Sequence, residues 1–162
     1  MFGYGFRKRP GRFAFMELSL FLIGGCLYNI VELLFRGYTF PSMFLLGGIC
    51  FLIIGIFNER WPWEMPLISQ MFISMVVITS LELVFGLILN VVFNLGIWDY
   101  SNMPYNLFGQ ICLLFSVAWF FISLPAIIIE DWARYILFDE EVPRYTLFCA
   151  KVPPAESVDK TI

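Results

Sequence analysis

The residues of this sequence whose types could do chemistry stand at helical spacing inside long apolar runs. Tyr28, Glu32 and Arg36 recur every fourth position, and so do Glu82, Gly86 and Asn90, with Thr79 one turn before Glu82. Positions four apart share one face of a helix, so each set forms a polar stripe. A glutamate at the middle of a membrane-spanning helix costs roughly 3 kcal/mol on insertion scales, so it turns toward protein or water and finds partners there. Gln110 enters from the next apolar run at similar depth. Trp98, Asp99, Tyr100, Ser101 and Asn106 lie in the segment between the runs.

Three chemistries fit this pattern. Glu32 pairs with Arg36 one turn away and Glu82 bonds to Thr, Asn, Gln or Trp side chains, so that the cluster only fastens helices together. Alternatively, the carboxylates face a ligand or proton pocket and exchange protons or cations, with Tyr28, Glu32, Arg36, Glu82, Asn90, Trp98, Asp99, Tyr100, Asn106 and Gln110 as its residues. The third is catalysis by the paired carboxylates, one holding a proton and one acting as base. No nucleophile with an adjacent base accompanies them, so no catalytic residue is assigned.

Several classes are excluded or left without support. The chain has no histidine, which removes the usual neutral-pH acid/base and the commonest metal ligand together. Cys26, Cys50, Cys112 and Cys149 show no CxxC or ligand-like spacing, and three of them fall in apolar runs where a thiol acts as a small hydrophobe. No metal site and no cofactor is expected. A Gly-x-x-x-x-Gly-Lys-Ser/Thr phosphate loop is absent, so the chain does not bind ATP in that manner. Basic residues are clustered at the N-terminus or scattered, which provides no cationic face for nucleic acid.

Composition sets the elements that must position these residues. Hydrophobic residues make up 60% of the 162, and charged residues only 14%, against roughly 25% charged in a typical soluble domain. Such a chain cannot cover itself with polar surface, and the lipid bilayer is its solvent. Apolar runs at Phe13 to Phe35, Phe40 to Phe57, Leu67 to Val92 and Leu107 to Ile129 predict four spanning helices, each near the length of about 20 residues that crosses hydrocarbon. The first has no cleavage site after a short core and reads as a retained helix. Glu130 to Phe138 predicts an amphipathic helix along the interface, and Asp139 to Ile162 an acidic, proline-bearing tail. The expected fold is an all-α membrane protein, a single four-helix domain over 13–129 following a basic segment over 1–12.

Orientation follows from the bases near the spans. Arg7, Lys8, Arg9 and Arg12 precede the first span and Arg60 sits in the loop after the second, whereas Arg36 is the one base on the opposite side. Positive charge stays inside, so both termini are expected in the cytoplasm and the glutamates in the outer half of the bilayer. The inner loop holds Asn58, Glu59, Trp61 and Trp63. Its tryptophans act as interfacial anchors, or the loop is a docking knob for a cytoplasmic partner stiffened by Pro62 and Pro66. Glu32-Leu33-Leu34-Phe35 matches Glu82-Leu83-Val84-Phe85, and Gly47-Gly48-Ile49-Cys50 matches Gly109-Gln110-Ile111-Cys112. These matches predict two tandem copies of one helical hairpin related by an axis along the membrane normal.

Gly24, Tyr28, Glu32, Arg36-Gly37, Gly47-Gly48, Asn58-Glu59, Glu82, Asn90, Trp98-Asp99-Tyr100-Ser101 and Gly109-Gln110 resemble the ABC-transporter type IV family, also called CmpB-like. The Trp-Asp-Tyr-Ser run is the most specific piece, and the resemblance covers Tyr28 to Phe120. It implies a multi-pass protein of a bacterial plasma membrane with a permease-like part in transport. Lacking a phosphate loop, such a permease component needs a separate cytoplasmic ATPase as partner, and with four spans it needs a second copy of itself. The leading expectation is a transport-related or ligand-binding membrane protein; the rivals are a non-enzymatic scaffold or accessory subunit and, third, an intramembrane enzyme.

Overall fold

A computed structural model describes residues 10–60, 65–140 and 142–147, with side chains over 14–56 and the two later segments. Among the described residues the regular structure is helical, apart from one short β-ribbon. α1 (Pro10–Arg36), α2 (Pro41–Arg60), α3 (Leu67–Gly86) and α4 (Leu113–Phe138) are joined by short connections, except for the longer segment between α3 and α4. α1, the α3 run and α4 are long and apolar enough to cross a membrane; the apolar part of α2, Pro41–Ile56, is shorter. Their outward faces carry large apolar side chains such as Leu18, Leu34, Phe72, Val84, Phe121 and Ile136. In water this surface would be costly; against lipid it is the ordinary exterior.

α1 packs along α2 and α3 along α4, and the two pairs meet through α2 against α3 and α4. The first pair is tight because small residues face each other. A Cβ on Gly47 would stand 2.2 Å from the Tyr28 Cβ, and one on Gly24 would stand 2.2 Å from the Phe51 Cβ. Contacts this close are open only to glycine and are how helices associate where lipid removes the hydrophobic drive. In the second pair the buried stripe of α3 runs Leu67, Met71, Ser74, Ile78, Glu82, Gly86, and it carries Glu82 inward with the apolar residues.

α3 does not end at Gly86. It widens into a π-helix, Leu87–Val92, closed by the Phe93 N–H donating to the Ile88 carbonyl at 3.0 Å and turned out of the helix at Asn94 (φ 53°). A β-ribbon follows, Asn106–Leu107 (β1) against Ile111–Cys112 (β2), turning through Phe108 and Gly109, both at positive φ.

The structure differs from the sequence reading at both ends of α4. That reading begins the fourth span at Leu107, but residues 107–112 are ribbon and turn, and helix starts at Leu113. It also separates an interfacial helix at Ile129, whereas α4 continues unbroken to Phe138. The reason lies in the direction of the charges: Glu130, Asp131 and Arg134 are buried, while Trp132, Ile136 and Leu137 are exposed. The stretch is amphipathic with its polar side turned into the protein. The two Gly-x-Ile-Cys segments also adopt different structures, Gly47–Cys50 in the middle of α2 and Gly109–Cys112 in the ribbon.

Candidate functional site

One cavity of about 120 Å³ lies where α1, α3, α4 and the α3–α4 connection converge. Its wall includes Tyr28, Glu32 and Arg36 from α1, Glu82 from α3, Trp98 and Tyr100 from the connection, and Phe115 and Trp119 from α4. The helical spacing of four is what lets α1 present three residues to one space. Aromatic rings supply much of the lining, and several of them pack on each other. Tyr28 stacks on Trp119 with centroids 5.4 Å apart, Tyr100 stacks on Phe115 at 4.7 Å, and Phe35 meets Phe115 edge-on at 5.5 Å.

Glu82 is only 2% exposed. Its Oε2 accepts from the Trp119 indole N–H at 3.0 Å and its Oε1 from the Tyr100 hydroxyl at 3.2 Å. Both donors are neutral, and among the described residues no basic side chain forms an ion pair with it. Tyr100 stays a donor because burial first, and the Glu82 charge next, push its phenol far above the ordinary range.

Glu32 is held differently. Its Oε1 pairs with Arg36, and its Oε2 accepts from the Thr39 hydroxyl at 2.7 Å. Thr39 Oγ1 also lies 3.0 Å from Asn29 Oδ1. Arg36 is fixed from three sides, by Glu32, by the Ile97 carbonyl at 3.1 Å and by the Tyr38 ring 5.0 Å beneath its guanidinium. The pair therefore closes on itself beside the cavity, and Glu82 is left as the carboxyl group without a cation.

Asn90, Asp99, Asn106 and Gln110 do not line this cavity; they fold the connection above it. Asn90 Oδ1 accepts the Ile97 N–H at 2.7 Å, and its Nδ2 donates to the Trp98 carbonyl at 3.0 Å and to Gln110 Oε1 at 2.8 Å. The Trp98 indole donates back to the Gln110 carbonyl at 2.9 Å. The whole clasp rests on Gly86, where a Cβ would meet Gln110 Oε1 at 2.6 Å. Asp99 makes a local turn by accepting from the hydroxyl and the N–H of Ser101, which hold its carboxyl below the usual range. Asn106 bonds the Ser101 and Met103 carbonyls and accepts from the Gly109 N–H. Trp61 and Trp63 lie outside the described residues, as do the side chains of Asn58 and Glu59.

Sequence reasoning missed Trp119, Phe115 and Thr39. Trp119 carried a signal: an indole N–H in the middle of a span needs an acceptor, and a buried glutamate is one. It also missed the cluster at the other end of α4. There Glu130, fully buried, pairs with Arg134 one turn on, and Arg134 reaches Met16 Sδ at 3.7 Å and Glu140 at 3.8 Å. Gly55 of α2 makes room for it. The repeated Glu-x-x-x-Arg spacing of Glu32–Arg36 was the signal. Among the described residues no group of three or more Cys, Asp or Glu is placed to hold a metal ion.

Spanning-length helices with apolar exteriors and polar side chains gathered inward define an integral α-helical membrane protein. The chain belongs to the family described as "Putative ABC-transporter type IV", which matches residues 15–147. That match is wider than the stretch carrying the sequence resemblance and takes in most of α1 and the whole of α4. Searches of the curated proteins and of the solved structures find no match.

Proposed function

We propose that this chain is the membrane-embedded, ligand-binding component of a transport system. Its site is the cavity around Glu82, and the observation that carries this reading is a buried carboxyl group facing an aromatic-walled space with only neutral donors to answer it. Asn90 and Gln110, whose bonds close the connection, do not line the cavity. Glu82 has a cavity beside it, and small concave apolar sites with a few convergent polar groups are the usual form of a ligand pocket.

The finer topology belongs to the same proposal. The chain crosses the bilayer four times, with α2 as the short span, both termini in the cytoplasm of a bacterial cell and the cavity in the outer half. The pairing of Arg36 with Glu32 supports this orientation, because Arg36 is then not a free loop charge and the α3–α4 connection brings no base of its own. Transport through so small a bundle calls for a second copy and for a separate ATPase at the loop with Asn58, Glu59, Trp61 and Trp63. The duplicated-hairpin reading is supported by Glu32 and Glu82 reaching one cavity from α1 and α3.

A second reading, a scaffold whose polar residues are structural, is favoured by the closed Glu32–Arg36–Thr39 set. The two separate on solvent access. With the native cysteines replaced, Ala118→Cys places a thiol in the cavity wall. Methyl methanethiosulfonate, whose transferred thiomethyl group is small enough for such a cavity, should label it in intact cells. Absence of labelling from either side of the membrane would leave the fastening role standing and end the pocket reading.

A further inference from the structure

The chemistry of the cavity wall narrows the class of ligand. Two carboxyl groups and one guanidinium line it, and the guanidinium is fixed by Glu32 and the Ile97 carbonyl, which leaves the Glu82 carboxyl group without a paired cation among the described residues. An anion is disfavoured there. A metal cation is disfavoured too, because a hard cation takes six or more oxygen ligands and Glu82 offers two oxygens already accepting from Trp119 and Tyr100. Much of what surrounds the carboxyl group is aromatic: Tyr28, Phe35, Trp98, Tyr100, Phe115 and Trp119. Aromatic faces attract weakly hydrated cations through their quadrupole, and aromatic walls with a nearby carboxylate are how proteins recognise ammonium groups that carry alkyl substituents.

Size sets the other limit. An engineered cavity of about 150 Å³ admits benzene, with its six heavy atoms. At about 120 Å³ this one takes a group of about five.

Resting on the pocket reading above, we propose that the cavity binds a small alkylammonium group, tertiary or quaternary, with its charge on Glu82 and its alkyl substituents against Tyr28, Trp119, Tyr100 and Phe115. A primary amine is the weaker fit, since its three N–H donors would need acceptors that the aromatic wall does not supply. The bound cation supplies the counter-charge that Glu82 lacks in the described structure. Phe35 and Arg36 line the cavity from the C-terminal end of α1.

The test uses the full chain in lipid nanodiscs, titrated with tetramethylammonium chloride at constant ionic strength against sodium chloride, and with tert-butanol as a neutral molecule of like size. Tryptophan fluorescence and the unfolding temperature are the readouts. Tetramethylammonium should bind saturably and raise the unfolding temperature, while tert-butanol should bind at least tenfold more weakly. Glu82→Gln should weaken tetramethylammonium at least tenfold, and Ala118→Leu, which fills the cavity and leaves Glu82 in place, should abolish it. Wild-type protein that binds tert-butanol as well as tetramethylammonium overturns the charge assignment and leaves the pocket reading intact. Saturable binding of neither overturns both. Should Glu82→Gln fail to fold, the wild-type comparison and Ala118→Leu still decide, since unchanged binding in Ala118→Leu removes the cavity as the site.

Discussion

Trp119→Phe tests whether the indole–carboxyl bond between α4 and α3 holds the second helix pair together. In the native chain Glu82 accepts from Trp119 at 3.0 Å and from Tyr100 at 3.2 Å, both inside the protein. Removing the indole N–H leaves Oε2 buried without a donor, while phenylalanine keeps an aromatic ring against Tyr28. A hydrogen bond to a charged group contributes about 1.5–3 kcal/mol in water-soluble proteins. Interhelical bonds within membranes average about 0.6 kcal/mol and reach about 1.7, because the unfolded chain in lipid also finds partners. A carboxyl acceptor with a nearly fully buried donor belongs at the upper end, so the expected coupling is about 1–2 kcal/mol, roughly a fivefold to thirtyfold change in the unfolding constant. The clean measurement is a double-mutant cycle with Glu82→Met, since Gln would still accept from the indole. Reversible unfolding in mixed detergent micelles, followed by helical circular dichroism, gives the four stabilities without relying on the tryptophan being replaced. The smaller ring costs the same packing in both backgrounds and cancels. A coupling below about 0.3 kcal/mol would refute the reasoning, because the helices would then be held by apolar packing and the bond would be incidental.

Two further outcomes are expected. Gly47→Ala should lower the unfolding temperature, at a cost of about 1–3 kcal/mol for overpacking, because the new Cβ would stand 2.2 Å from Tyr28 Cβ; it should also disturb the cavity wall, read as a shift in tryptophan fluorescence through the Tyr28–Trp119 stack. Asp99, with its carboxyl held below the ordinary range by Ser101, contributes turn stability that is present above the ordinary carboxylate range and is lost as pH falls through its depressed native value. The Ser101 amide, followed by NMR across an acid titration, should keep its bonded position until below that ordinary range; Asp99→Asn should remove the transition, and a transition at the ordinary value would contradict the turn.

The membrane class was legible in the sequence because it depends on composition, and composition needs no contacts to be read. The inward direction of Glu32, Arg36 and Glu82 was legible for a related reason: the cost of ionisable groups in lipid leaves a single permitted direction, and their one-turn spacing fixes the face. The partners were not. Whether Asn90 and Gln110 belong with Glu82 or form a separate clasp depends on how a π-helical turn and a β-ribbon fold back over Gly86, and no period in the sequence marks either. Apolar runs also mislead at their ends. Leu107 to Cys112 is as hydrophobic as a helix start, yet Asn106, Gly109 and the bonds of Gln110 draw it into a ribbon. Likewise Glu130, Asp131 and Arg134 resemble interfacial residues by type, and only the packing of α4 against α1 and α2 turns them inward.

Solvent transfer and helical period act residue by residue, so the order of amino acids is enough to place this protein in lipid, to name the side chains lipid would reject and to say which faces they share. Tertiary structure alone decided that Glu32 is spent on Arg36 and Thr39 while Glu82 is answered by Trp119 and Tyr100 beside an open aromatic space. That difference is a matter of distances between helices far apart in the chain, and only packing sets such distances.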